Sequence, residues 1–165
     1  KATDPDGDPL TYELEFRPVS SSKWLTLRKD VRDAFYGFDS TSLPDGDYVF
    51  RVTASDAEAN PGDAKTTSRE SAPVRIDNTP PVIRQISSAS GVFQFEATDS
   101  ASPLTEAEFS VDAKKWTRVE PKDGLSDSLQ ESYVIRLPPE AKGGYLLIRV
   151  TDASRNVATA SFSAP

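Results

Sequence analysis

The sequence predicts an all-β chain built as two tandem β-sandwich domains, and three observations carry that expectation. First, the chain repeats itself. Ala2-Thr3-Asp4 returns as Ala97-Thr98-Asp99, Pro9-Leu10-Thr11 as Pro103-Leu104-Thr105, and Arg51-Val52-Thr53 as Arg149-Val150-Thr151. Ser55-Asp56-Ala57 is matched by Thr151-Asp152-Ala153, with Asn60 answered by Asn156. The spacing between copies runs from 92 residues (Trp24 to Trp116) to 98 (Arg51 to Arg149), so one plan of under 100 residues is used twice. Second, apolar residues recur at every other position, the period of a strand with one face on a core. Third, 13 prolines and 8 glycines punctuate these runs. They cluster at turns such as Pro5-Asp6-Gly7, Pro44-Asp45-Gly46, Asn60-Pro61-Gly62, Lys122-Asp123-Gly124 and Lys142-Gly143-Gly144.

The strands follow in order. Leu10, Tyr12, Leu14 and Phe16 alternate with polar neighbours, and Lys23 to Leu27 forms a short strand around Trp24. Tyr48, Phe50, Val52 and Ala54 alternate with Val49, Arg51 and Thr53. Asp77-Asn78-Thr79-Pro80-Pro81 is the expected domain junction, a short semi-rigid spacer, because two prolines hold the backbone extended and restrict Thr79 as well. The expected domains are therefore residues 1–77 and 78–165. Val82 to Ile86 and Val92 to Ala97 open the second, followed by Ala107-Phe109-Val111, Lys115 to Val119, Tyr133-Ile135-Leu137 and Leu146-Ile148-Val150. Short strands bounded by turns favour two stacked antiparallel sheets in each domain, and no segment has the pattern of a helix. Nothing before Asp4 corresponds to the two strands that open the second domain, so the first is expected to lack its first strand or strands and to have one incomplete sheet.

Composition narrows the function. Two small domains leave little room for a deep pocket. The 165 residues contain no histidine, cysteine or methionine, which removes imidazole and thiolate chemistry and the usual zinc motifs. Residues 1–77 carry 10 basic and 15 acidic side chains and residues 78–165 carry 9 and 11, for a formal charge of -7. Both halves therefore disfavour nucleic acid and anionic membrane, and no 18-residue apolar run exists to cross a bilayer. The chain opens at Lys1-Ala2-Thr3 without an initiator methionine, as expected of an internal fragment.

Leu43-Pro44-Asp45-Gly46-Asp47-Tyr48 through Ala54 resembles the penultimate-strand signature of fibronectin type III domains. Val150-Thr151-Asp152-Ala153-Ser154-Arg155-Asn156-Val157-Ala158 is similar to the closing hairpin of bacterial Ig-like and fibronectin-like repeats, and Asp77 to Pro81 to the linkers between them. The resemblance implies tandem Ig/fibronectin-type sandwiches and, for Tyr48, a ring packed into the adjoining corner. Tyr145 stands one position out of phase with Tyr48 when Arg51 and Arg149 are aligned. Such modules resemble parts of larger extracellular, cell-surface or periplasmic proteins in which they space, present or bind.

Candidate sites are few. Asp4, Asp6 and Asp8 alternate around a glycine turn and, with Asp56 from the closing hairpin, form a candidate calcium site, since calcium takes oxygen ligands. The competing reading is that these aspartates cap a tight surface turn. Trp24 and Trp116 are either sheet-packing groups or a glycan platform. Phe35-Tyr36-Gly37-Phe38 is either core or a contact surface for other chain. Glu13 and Glu15, or Glu106 and Glu108, share a strand face as glycosidase carboxylates could, but a solvated face accounts for them equally. Catalytic residues and a cofactor are not expected, calcium apart. The expected role is noncatalytic: a structural, spacer or protein-interaction segment meeting other domains of the same protein or a protein partner. The alternatives are a glycan-binding or calcium-dependent adhesion module, and accessory domains packed beside an enzyme or propeller.

Overall fold

The computed structural model describes residues 2–141 and 143–164, without the side chain of Glu140. Lys142 of the predicted Lys142-Gly143-Gly144 turn lies outside the described residues. The architecture is all-β and multi-sheet, with twelve strands in three sheets and two short 3-10 turns among the described residues. The chain divides into two compact units, Lys1–Ile76 and Asp77–Pro165.

The first unit holds one antiparallel sheet. Its strands are β1 (Thr11–Pro18), β2 (Leu25–Val31), β3 (Gly46–Ser55), β4 (Thr66–Glu70) and β5 (Val74–Ile76). The order is β2-β1-β3-β4, with β5 also on β3. β4 lies along Arg51 to Ser55 and β5 along Gly46 to Tyr48, so together they make one interrupted edge. The interruption has a local cause: Pro73 has no N–H to give a ladder. Ser71 fills the gap, donating its amide to Phe50 O (2.9 Å) and accepting the Phe50 amide on its hydroxyl (3.1 Å).

Tyr12, Leu14 and Phe16 of β1 pair with Ala54, Val52 and Phe50 of β3, which places all six on one face. At one end of that face Leu43, Tyr48 and Ile76 are buried, with Phe16, Phe38 and Phe50 packed against them. Tyr48 donates its hydroxyl to Pro44 O at 2.8 Å, pinning the loop before β3. The described strands of this unit form one five-stranded sheet, where the sequence leads one to expect two sheets with one incomplete. Toward the other end of the face Ala54 is buried, and among the described residues the cover is partial, with Val52 41% exposed.

The second unit has two sheets. One is ordered β10-β7-β6, from β6 (Val82–Ala89), β7 (Val92–Thr98) and β10 (Gln130–Arg136). The other is β12-β11-β8-β9, from β8 (Leu104–Ser110), β9 (Thr117–Arg118), β11 (Tyr145–Asp152) and β12 (Val157–Ser163). Phe93, Phe95, Tyr133 and Ile135 of the first meet Leu104, Ala107, Leu146, Ile148 and Val150 of the second in one core. Phe95 and Tyr133 stack at 4.6 Å between centroids with an 11° interplanar angle, and Phe93 reaches Phe162 at 5.1 Å. Tyr145 is 75% exposed, so the corner seen at Tyr48 has no tyrosine counterpart, and the next residue, Leu146, turns inward instead.

Two substitutions test this account. Tyr48→Phe is expected to cost about 1 kcal/mol in urea denaturation, the usual net worth of one hydrogen bond. Tyr133 is buried, and burial, reinforced by Glu131 and partly offset by the Ser126 side chain, pushes its pKa up to about 12 from 10.0. The unfolded chain therefore loses this proton first, so the stability contributed by the neutral phenol is present below pH 10 and lost as pH rises toward 12. Tyr133→Phe is expected to leave stability at pH 7 nearly unchanged and to shrink the decline between pH 10 and 12.

Candidate functional site

Both units carry the same arrangement on the sheet face away from the core. Cross-strand pairing sets Glu15 opposite Arg51 and Glu108 opposite Arg149. The arginines meet those glutamates at 2.8 Å and 2.6 Å. Arg51 also lies 4.2 Å from the centre of the Trp24 ring, with Arg17 at 5.0 Å, and Arg149 lies 4.4 Å from that of Trp116. The tryptophans are half-buried and belong to neither core. Each ring thus lies against a guanidinium on the outer face of its sheet. Glu15 and Glu108 are likewise held by arginines, while Glu13 pairs with Lys29 at 3.1 Å.

The Asp4 to Asp8 turn is built by its own backbone. Asp4 Oδ1 accepts the amides of Asp6 (2.8 Å) and Asp8 (3.2 Å), while Gly7, at φ 83°, takes the left-handed position that closes the turn. Asp56 is buried and accepts the Lys65 amide on Oδ1 at 2.6 Å. The Asn60 side-chain amide joins Asp8 Oδ2 (2.8 Å) to Asp56 Oδ2 (3.1 Å). The fold thus brings Asp8 and Asp56 together through a neutral donor. Asp4 serves the turn and Asp6 is exposed.

A different acidic group appears in the second unit. Asp77, Asp99 and Asp152 each place a carboxylate oxygen within 4.8 Å of the other two. They come from the start of the unit, the residue after β7 and the end of β11. Asp77 is 6% and Asp152 1% exposed. Asp77 accepts the Thr79 amide on Oδ1 (3.1 Å) and the Ser102 hydroxyl on Oδ2. Ser102 Oγ in turn lies 2.7 Å from Ser154 Oγ. Asn156 donates its amide to Asp152 Oδ1 (2.8 Å) and its side-chain NH2 to Asp152 Oδ2 (2.9 Å) and Asp77 O (3.0 Å). Asp99 Oδ1 accepts the amides of Ala101 and Ser102, both at 2.8 Å, whereas its Oδ2 is buried and accepts nothing. None of the ion pairs among the described residues involves these three. Ionised carboxylates at such spacing repel by about 3 kcal/mol per pair at an effective dielectric near 20.

Sequence reasoning missed this group because Asp77 reads as linker and the loop after Asp99 lacks the alternating aspartates of the first copy. The signal was available: the repeat maps Asp4 onto Asp99, Asp56 onto Asp152 and Asn60 onto Asn156. In the second copy Asp77 joins them.

The remaining feature is a groove of about 630 Å³ on the first sheet. It is floored by Tyr12, Leu14, Phe50, Val52 and Ala54 and flanked by Phe35 and Tyr36. Phe35, 83% exposed, stands as a rim residue rather than as core. Among the described residues, no helix is long and apolar enough to cross a membrane.

No protein-family model matches this chain, and no curated protein does. Among solved structures it is similar to the crystal structure of chicken CNTN1 FN1–FN3 domains, with 14% identity and a TM-score of 0.41. That similarity covers 96% of this chain and 56% of the other, so the chain spans little more than half of the structure it matches.

Proposed function

We propose that this chain is a noncatalytic structural segment of a larger extracytoplasmic protein, made of tandem fibronectin type III-like or Ig-like β-sandwich domains that space and contact protein. The observation that carries the reading is the partly open apolar groove on the first sheet. Its floor residues pair in the same register as the core residues of the second unit: Leu14 with Val52 matches Ala107 with Val150, and Phe16 with Phe50 matches Phe109 with Ile148. In the second unit that face lies beneath β7 and β10; in the first it is partly open, with Ala54 buried, Tyr12 and Leu14 half-buried and Val52 exposed. A face of this composition is suited to a protein surface with apolar strands of its own, from another domain of the same protein or from a protein partner. Both tryptophans are engaged by arginines, and the acidic balance of both units opposes nucleic acid.

Matched substitutions test this. Val52→Lys is expected to change the stability of the 165-residue chain by less than about 1 kcal/mol and to reduce binding of a hydrophobic dye. Val150→Lys, at the equivalent but fully buried position, is expected to unfold the second unit by stranding an ammonium in its core. In the full-length protein Val52→Lys should become costly or release the partner. Indifference of the full-length protein to this change, or equal damage by both substitutions in the isolated chain, would sink the contact reading.

A further inference from the structure

We propose that Asp77, Asp99 and Asp152 form a divalent-cation site, with calcium as its ion. Three carboxylates drawn from separate segments offer oxygens within 4.8 Å of one another. Clustering alone would be weak support, since acidic groups often gather without a ligand. The independent observation is Asp99 Oδ2, an anionic oxygen shut off from solvent that accepts no hydrogen bond, although its partner oxygen accepts two. Buried polar atoms are nearly always satisfied, and a carboxylate oxygen more urgently than most. The Thr79, Ala101 and Ser102 amides, the Ser102 hydroxyl, and the amide and side chain of Asn156 each donate to an acceptor other than Asp99 Oδ2. A cation satisfies that oxygen and removes the mutual repulsion of the three charges in one step.

The donor chemistry selects the ion. Carboxylate and hydroxyl oxygens surround the site, the hydroxyls being those of Ser102 and Ser154, and the chain has no histidine or cysteine to favour zinc or copper. Magnesium demands near-octahedral geometry and keeps most of its water, whereas calcium accepts irregular sets of six to eight oxygens. An irregular cluster gathered from a strand end, a hairpin and an entering segment fits calcium better. In the first unit the Asn60 amide holds Asp8 and Asp56 by hydrogen bonds, and among the described residues no third carboxylate is grouped with them.

The test is calorimetric titration of calcium into the chelator-treated 165-residue chain, beside Asp99→Asn and Asp4→Asn variants, with thermal unfolding of each in calcium and in chelator. Asp99→Asn keeps the oxygen that accepts the Ala101 and Ser102 amides, so the loop is expected to stay folded. One equivalent should bind with a Kd of about 10⁻⁵–10⁻³ M. Saturating calcium should raise one unfolding transition by about 5–10 °C. Asp99→Asn should weaken binding at least tenfold and abolish the shift, with Asp4→Asn unaffected. Absence of both heat and shift at 5 mM free calcium (roughly the upper end of biological affinities) overturns the proposal, as does loss of binding in Asp4→Asn alone. Should Asp99→Asn fail to fold, crystals of the unmodified chain grown with calcium decide: anomalous density among the three carboxylates upholds the site, and density elsewhere or nowhere removes it.

Discussion

The pairing of the two long central strands in each unit is the constraint on which the rest depends. β1 against β3 and β8 against β11 share one register, marked by Glu15 opposite Arg51 and Glu108 opposite Arg149. Because successive side chains point to opposite faces, a slip by one residue would exchange the two faces wholesale. It would carry Val52 or Val150 outward and drive the arginine inward. Each arginine spans its strand pair to a glutamate and lies against a tryptophan from the neighbouring segment, so the outer face checks the register that the inner face requires. Such partly exposed pairs contribute modestly to stability. Their greater effect is on alignment, since the guanidinium meets both partners only in the observed register.

What covers that sheet differs between the units. In the second, β7 and β10 bring Phe93, Phe95, Tyr133 and Ile135 onto the inner face, and eleven residues form one buried cluster. In the first, the end near Tyr48 is closed by Leu43 and Ile76, and a groove opens above Val52. The same strand pattern therefore yields a filled core in one place and a partly open groove in another. The hydrophobic contribution of the second core scales with the apolar area it removes from water. In the first unit the equivalent face is covered only in part, so its hydrophobic contribution is smaller.

The loop ends show a similar divergence. Both hairpins use an aspartate and an asparagine four residues apart, Asp56 with Asn60 and Asp152 with Asn156, to tie the turn. In the first unit the asparagine side chain spends its second hydrogen on another carboxylate, Asp8; in the second it spends it on the backbone carbonyl of Asp77. That single change of partner lets the Asp77 carboxylate stand beside Asp99 and Asp152. One aspartate–asparagine motif thus closes a turn in one copy and frames an acidic group in the other.

Much of the architecture was legible in the residues alone. Period-2 alternation marked the strands because a half-buried sheet demands it, and the internal repeat announced two copies because their turn residues and strand residues recur together. The absence of histidine and cysteine is likewise a property of composition, whatever the fold. Three features needed the tertiary structure. The tryptophans were legible as packing groups but not as outer-face partners of Arg51 and Arg149, because a strand pattern does not say which face a neighbouring segment folds across. The break at Pro73 divides an edge that the second unit keeps whole, and its repair by Ser71 depends on which strand lies alongside. The acidic group was invisible because Asp77, Asp99 and Asp152 are separated by 22 and 53 residues, and only the closure of one sheet on the other brings their oxygens within 4.8 Å. Sequence determines periodicity and composition locally; convergence of distant charges is decided by how the chain closes.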